Sequence, residues 1–563
     1  MKIRLFFILL AFSVTPVFGQ LKFMERYEQV SAPFDPIFEI MRIPDGLVSF
    51  RTYQARNLTA SRVFQYFRSD MNLGSTGMIE LGIRTGFDMI GYDTDGWKLY
   101  VLLSRGFNTG AEKYILEIDL QTNQGLEYAA ENLLPLELVE FLVVDRKAVF
   151  MGNAEGRPAL QILNFEDKTL RTVQGIYGNN TQVLQIRKVK ELEALEVVVS
   201  RRGQYKNRET SVLTFDLSGN LVREVKIDNF GDQGQEILDG FLLADKNYQQ
   251  VMIGGFGTAV RNSCQGMYIL EINEFGEYQT KFYTLDDFPN FYNYLSENRK
   301  LKQDQLVLKD IERGKTPSMK NTYSIRDVRE TEDFFYIYFD QVNITTSRGN
   351  GRVSTPFQNT LYRYDRVNRM GYAPYYMDPL LGPNMTTPLY SVYTEYRYLS
   401  SHFIKVAKTG QVIWDNSASY GDLITSYPEP FGEIAIVGED LFHLYVLNEE
   451  ILLSFFREGE KVAENLSFPI SLPDETVKIQ STDPASLRLV HWYDRYFLLS
   501  GLQSVKYQNG QGQAEVKDVF FMSKILVNGD LYTPEAAKEK VGDTKKEEVK
   551  DRKVPVFHLD DFR

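Results

Sequence analysis

Apolar and polar residues alternate over short stretches of this chain, and the stretches end in Gly, Asn, Asp or Lys, the pattern of strands closed by tight turns. Tyr114–Leu120 runs into a turn at 121–123, Leu160–Phe165 into Glu166-Asp167-Lys168, and Ser211–Leu217 into Ser218-Gly219-Asn220. The same unit returns as Met267–Asn273 before Glu274-Phe275-Gly276, Leu361–Asp365 before 366–368, and Phe403–Ala407 before Lys408–Gly410. It closes with Leu452–Phe456 before Glu458-Gly459-Glu460 and Phe520–Val527 before Asn528-Gly529-Asp530. The spacing is about fifty residues, the period of a repeat built from one small antiparallel sheet. One unit shows four strands: Val183–Val189, Leu195–Ser200, Thr210–Leu217 and Leu221–Ile227.

A sheet of that size cannot cover both of its apolar faces. Stacking such sheets around an axis covers them and leaves only short edges. The pattern therefore predicts an all-β fold, a single β-propeller of eight four-stranded blades, with seven as the alternative. Residues 38–81 supply either a further blade or the closing strand. At the level of pattern, over residues 35–532, the chain resembles the broad group of secreted propellers that includes TolB-like and six-to-eight-bladed Bacteroidota proteins. That resemblance implies the fold and no particular activity, because Trp-Asp, kelch, Asp-box and NHL signatures are absent.

Two segments depart from the repeat. Residues 286–320 widen the interval between the turns near 275 and 367, and Phe291–Arg313 reads as an amphipathic helix with Tyr294, Leu301 and Leu308 at heptad spacing and a stop at Gly314. Packed on the propeller rim, it would act as a lid; free, it would bind a partner. The lid is the expectation. The tail 535–553 alternates basic and acidic residues as a solvated spacer and leads to the apolar Val554–Leu559, a segment able to dock by strand addition or to complete the fold.

The N-terminus reads as a secretory signal over 1–19: Lys2 and Arg4, the apolar run Leu5–Phe12, then Val17 and Gly19 before the cleavage point at Gln20. A Gln after a small residue also resembles Bacteroidota signals. The expected location is the periplasm, the cell surface or outside the cell, with no lipid-anchor cysteine at the cleavage site and no transmembrane segment in the mature chain.

Composition narrows the functions. A net charge of -12 in 563 residues argues against a nucleic-acid partner. One cysteine, Cys264, excludes a disulfide framework and reads as inert, and four histidines leave little for a metal centre. Asp93-Thr94-Asp95-Gly96 imitates the start of a calcium loop, yet Ser104 stands where the loop needs a glutamate, so it reads as a hairpin turn. His402, His443 and His491 sit in apolar or aromatic strand runs, as core or channel residues; His491-Trp492-Tyr493-Asp494 is the one polar-aromatic cluster among them. Seven tyrosines in 372–398, among them Tyr375, Tyr376, Tyr390, Tyr393, Tyr396 and Tyr398, read as core packing before a sugar platform.

The loops after the second strand of successive units carry Arg105, Arg157, Arg201, Arg202, Arg261, Arg348 and Arg352. A propeller brings these loops to one face. Guanidinium groups bind carboxylate or sulfate through paired hydrogen bonds, so that face is the candidate site for an anionic glycan or acidic peptide. The expected function is a non-catalytic binding or assembly module with a protein or glycan partner at the cell envelope, with peripheral association to an outer-membrane complex as one form of that partnership. No cofactor or metal is expected. The alternative is a propeller glycoside hydrolase or polysaccharide lyase with carboxylates in the central channel, which linear spacing neither supports nor excludes.

Overall fold

The computed structural model describes residues 21–529 except 33–34, 55–61, 107, 203–207, 229, 232–233, 245–247, 259–262, 318, 320–321, 347–348, 351–393, 426–430, 474–476 and 509–513. Eight antiparallel sheets follow one another along the chain, and each packs its faces against its neighbours in a ring. They form an eight-bladed β-propeller. Blades 1 to 5 span 39–82, 88–129, 137–172, 181–227 and 235–284; blades 6 and 7 span 322–425 and 433–469. Blade 8 takes 478–527 from the end of the chain and its outermost strand from the beginning: Leu21–Val30 pairs antiparallel with Ala514–Val527, joining Leu21 to Val527. The ring is thus closed by hydrogen bonds between the two ends of the described chain.

Seven of the eight expected turn-marked strands are the third strands of blades 2 to 8. Leu361–Asp365 lies outside the described residues, and blade 1 comes from the segment 38–81. The strand boundaries expected for blade 4 agree with those observed, Thr181–Val189, Ala194–Arg202, Arg208–Asp216 and Leu221–Ile227. Alternation works here because each blade is sandwiched. In blade 4, Leu195, Val197, Val199, Leu213 and Phe215 face blade 3, whereas Leu184, Val198 and Val212 face blade 5. Each such side chain contributes roughly 1.5–3 kcal/mol by leaving water.

The first strand of each blade is innermost. First strands of blades 1 and 2, 2 and 3, 4 and 5, and 7 and 8 touch one another. Six of the eight are interrupted midway. Blades 2, 3, 4 and 6 shift register between Met89 and Gly91, Leu138 and Glu140, Val183 and Gln185, and Ile325 and Asp327. In blades 5 and 8 the first strand is split in two, Gln235–Ile237 with Phe241–Ala244 and Lys478–Thr482 with Arg488–Tyr493. A bulge adds twist and re-aims side chains where inner strands crowd together.

The insertion between blades 5 and 6 differs from its expectation. The helix, α1 (Glu297–Glu312), starts after Ser296 and leaves Tyr294 outside; Gly314, at φ 65°, stands just past its end. It buries no residue, and Leu301 and Leu308 are each 59% exposed, so it is not the packed lid that the heptad spacing suggested. The preceding turn carries the packing instead. Phe288 and Phe291 are buried in the seam between blades 5 and 6, and Asn290 N donates to Asp415 Oδ2 at 3.0 Å.

Candidate functional site

Strand direction alternates within a blade, so the loops joining second to third strands share a face with the connections from each fourth strand to the next blade. Arg105, Arg157, Arg201 and Arg202 lie on that face, as does the insertion with α1. Arg261, Arg348 and Arg352 lie outside the described residues. The guanidinium groups are partly engaged. Arg105 approaches Glu112 at 3.3 Å and covers the Phe87 ring at 5.0 Å. Arg157 donates to Tyr177 Oη at 3.1 Å, and Arg201 donates to the Gly175 carbonyl. Each holds a loop; Arg105 and Arg202 are exposed, and Arg157 and Arg201 are half-buried.

The axis is a second place where polar groups converge. Inner edges of first strands have no further strand to pair with, so their backbone groups need side-chain partners. Lys188 Nζ of blade 4 reaches Asp93 Oδ2 of blade 2 at 2.7 Å, and also the carbonyls of Thr94 at 3.1 Å and Val143 of blade 3 at 3.2 Å. Asp93 Oδ2 in turn accepts from Val143 N at 2.6 Å. Both side chains of this ion pair are at most 4% exposed. Gln185 bridges to the backbone of Leu242 in blade 5, and Arg187 donates to the same carbonyl at 2.9 Å. Asp93-Thr94-Asp95-Gly96 is therefore inner strand and hairpin, with Gly96 at φ 60°, as its turn chemistry suggested.

Across the axis, Arg42 Nη2 of blade 1 donates to the His491 carbonyl of blade 8 at 2.6 Å. Arg329 of blade 6 comes within 3.4 Å of His491 Nδ1 and pairs with Asp327 at 2.7 Å, and Glu433 of blade 7 lies close by. Burial, with the Arg329 charge beside it, pushes His491 down to about 4, so the ring is neutral near pH 7. This half of the axis is less enclosed than the Lys188 half.

The other two histidines are core residues. His402 stacks on Phe291 and Phe339, with ring centroids 4.2 and 4.9 Å away, and burial pushes it down to about 3. His443 sits in the seam between blades 6 and 7, 3.2 Å from Tyr338 Oη and 3.4 Å from Tyr420 Oη, and is likewise pushed by burial to about 3. Tyr420 donates to Asp340 at 2.9 Å, and Asp340 is ion-paired with Arg326 at 2.9 Å. Sequence reasoning missed this cluster; its only trace is a run of polar residues at positions that alternation assigns to the core. Cys264 is buried and its thiol is raised by burial to about 12, consistent with an inert group. Tyr398 is buried in the core and Tyr396 packs beside it, while Tyr375, Tyr376 and Tyr390 fall outside the described residues. Carboxyl groups raised to about 6, those of Asp340 and Asp415, are enclosed by packing at blade seams rather than exposed at the axis.

No protein-family model matches the chain, and no curated protein does either. Several solved structures align with it. One is the β-propeller domain of the Trilobed protease from Pyrococcus furiosus, at 10% identity and a TM-score of 0.32, covering 77% of this chain and 98% of that one. A polysaccharide lyase aligns at 9% identity and a TM-score of 0.33, covering 78% of this chain and 90% of the lyase. A protein from Lactobacillus plantarum aligns at 9% identity and a TM-score of 0.35, covering 77% and 97%.

Proposed function

We propose that the chain is an exported, non-catalytic propeller that binds a protein or an anionic glycan at the cell envelope through the face bearing Arg105, Arg157, Arg201 and Arg202. The observation that carries this reading is the axis. Lys188 crosses from blade 4 to a buried carboxylate of blade 2, and the side chains there are used to satisfy neighbouring strands rather than to frame a pocket. The guanidinium groups on the loop face supply the contrast, a cationic rim on a chain of net charge -12. Cleavage after Gly19 would leave the closing strand Leu21–Val30 whole, which fits export of a complete ring.

The enzymatic alternative, a glycoside hydrolase or lyase, draws on the half-open cluster of Arg42, Asp327, Arg329, Glu433 and His491. One experiment addresses both. Pull-down from the native envelope and an anionic glycan panel are run with the natural chain, with Arg105, Arg201 and Arg348 all changed to Ala, and with Glu433→Gln. Loss of capture in the arginine variant alone supports the binding module. Unchanged binding in that variant removes it, and product formation abolished by Glu433→Gln favours the enzyme.

A further inference from the structure

A groove with a cavity of about 760 Å³ opens along the outermost strand of blade 5, on the side facing blade 4. Its wall is one face of the strand Tyr278–Thr284, where Tyr278, Thr280, Phe282 and Thr284 point the same way because side chains alternate. That face is about 20 Å long at about 3.4 Å per residue. It is lined by rings and hydroxyls in turn. Phe282 is fixed edge-on by Phe230 and Phe256, at 5.1 and 4.9 Å between centroids, and Tyr278 is oriented by Asp228 Oδ1 at 3.2 Å. Tyr278 and Phe282 remain half-buried, with part of each ring open to the groove.

Three further features define what would fit. Among the described residues the charged groups of the lining are both acidic, Asp228 and Glu277, so they disfavour anions, unlike the arginine-bearing face. Gln235 and Thr316 add an amide and a hydroxyl at the end nearer that face. Thr280 Oγ1, midway along the wall, is shielded from solvent and has no hydrogen-bond partner among the described residues. Shielded in this way, it offers the groove no polar contact, and recognition there falls to the rings and the acidic groups.

We propose that this groove binds a short neutral oligosaccharide, independently of the anionic-ligand face. Its C–H faces stack on Tyr278 and Phe282, and its hydroxyl groups donate to Asp228 and Glu277. The volume lies within the range of small-ligand clefts. A peptide adding to the same strand is the competing occupant, because Tyr278–Thr284 pairs only with Ser263–Ile272 among the described residues. A peptide would also engage the strand's other face, where Lys281 stands beside a second cavity of about 340 Å³. A sugar in the groove would not.

The test is calorimetric titration at pH 7 of the full mature chain with cellohexaose, xylohexaose and maltohexaose. At least one is expected to bind, with affinity reduced tenfold or more by Tyr278→Ala and several-fold by Glu277→Ala, and changed less than threefold by Tyr278→Phe. Changing Arg105, Arg157 and Arg201 to Ala should leave it unaltered, which separates this site from the loop face. Lys281→Glu should also have no effect. Should Tyr278→Ala fail to fold, Glu277→Ala and Tyr278→Phe decide the matter alone. Absence of binding by all three sugars at millimolar concentration, indifference to both Tyr278→Ala and Glu277→Ala, or loss on Lys281→Glu would overturn the proposal.

Discussion

Blades 2 to 4 and blades 5 to 7 solve the same packing problem with different chemistry. Between blades 2, 3 and 4 the seams are filled mainly by aliphatic and aromatic side chains such as Ile90, Leu102, Phe141, Phe150, Leu160 and Val197, with Glu117, Glu140 and Gln161 as isolated buried polar groups and no cluster like that of blade 6 among the described residues, and the polar staple Lys188–Asp93 sits at the axis. Between blades 5, 6 and 7 the seams themselves hold buried polar groups: His402, Asp415 and Ser417 on one side of blade 6, Arg326, Asp340, Asn416 and His443 on the other. Apolar seams tolerate repacking with modest loss. A buried charge network does not, because each member leaves another uncompensated. The polar half is also the half that carries the insertion and the long interval between strands, so its extra hydrogen bonds hold pieces that a simple repeat lacks.

The strongest way to break this contrast is to remove one partner of the Arg326–Asp340 pair, in which both side chains are 1% exposed. Asp340→Ala should cost about 3–5 kcal/mol, because it strands a guanidinium in a closed seam. Asp340→Ala paired with Arg326→Met should recover part of that loss, read as the midpoint of urea unfolding. If the single change costs no more than a surface substitution, the polar seam is not holding blades 6 and 7 together. Phe291→Ala comes next. The ring lies 2% exposed against His402 and the core of the seam, and its loss should cost about 3–4 kcal/mol through the cavity it leaves.

The contrast also has a pH signature. His402, at about 3 in the folded chain against 6.5 when unfolded, binds its proton more readily in the unfolded state. Its depressed value therefore lowers stability as pH falls from 6.5 toward 3, by about 1.4 kcal/mol per pH unit within that window. His443 acts in the same sense, whereas Asp415, pushed up to about 6 by burial, acts in the opposite one. His402→Phe, which keeps the ring stack, should flatten the dependence of unfolding free energy on pH between 4 and 6 by about one proton. An unchanged slope would mean that His402 is already charged in the fold.

How legible each half was follows from the same chemistry. Blade 4 could be read strand by strand because Val197, Val198 and Val199 alternate between two apolar seams while its turns carry Ser218-Gly219-Asn220. Blade 6 could not. Its second strand, Phe334–Thr346, and third, Thr394–Ala407, are far apart in sequence, and buried Asp340, Ser400, Ser401 and His402 interrupt the alternation. The axial staples were hidden for a further reason. Lys188, Arg42 and Arg329 look like ordinary solvated residues at strand ends, and only the ring brings them to the carbonyls and carboxylates they serve. The arginine-bearing face was readable because loop order alone fixes it, whereas the groove beside Tyr278 depends on how two blades diverge, which no local pattern records.

Helix α1 supplies the gentlest test, because it sits in the polar half yet contributes little to it. The heptad spacing of Leu301 and Leu308 suggests burial, but the segment that anchors the insertion is the turn at 288–294, with Ser417 Oγ donating to the Phe291 carbonyl at 2.9 Å and Lys461 Nζ to that of Asn293 at 2.8 Å. Leu301→Glu and Leu308→Glu should each change the unfolding free energy by less than about 0.5 kcal/mol, as substitutions on exposed positions do. A loss of several times that value would show that the helix face is covered in solution, returning it to the role its sequence suggested. The size of that loss, set against the Phe291→Ala cost, measures directly which of the two, turn or helix, fastens the insertion to the ring.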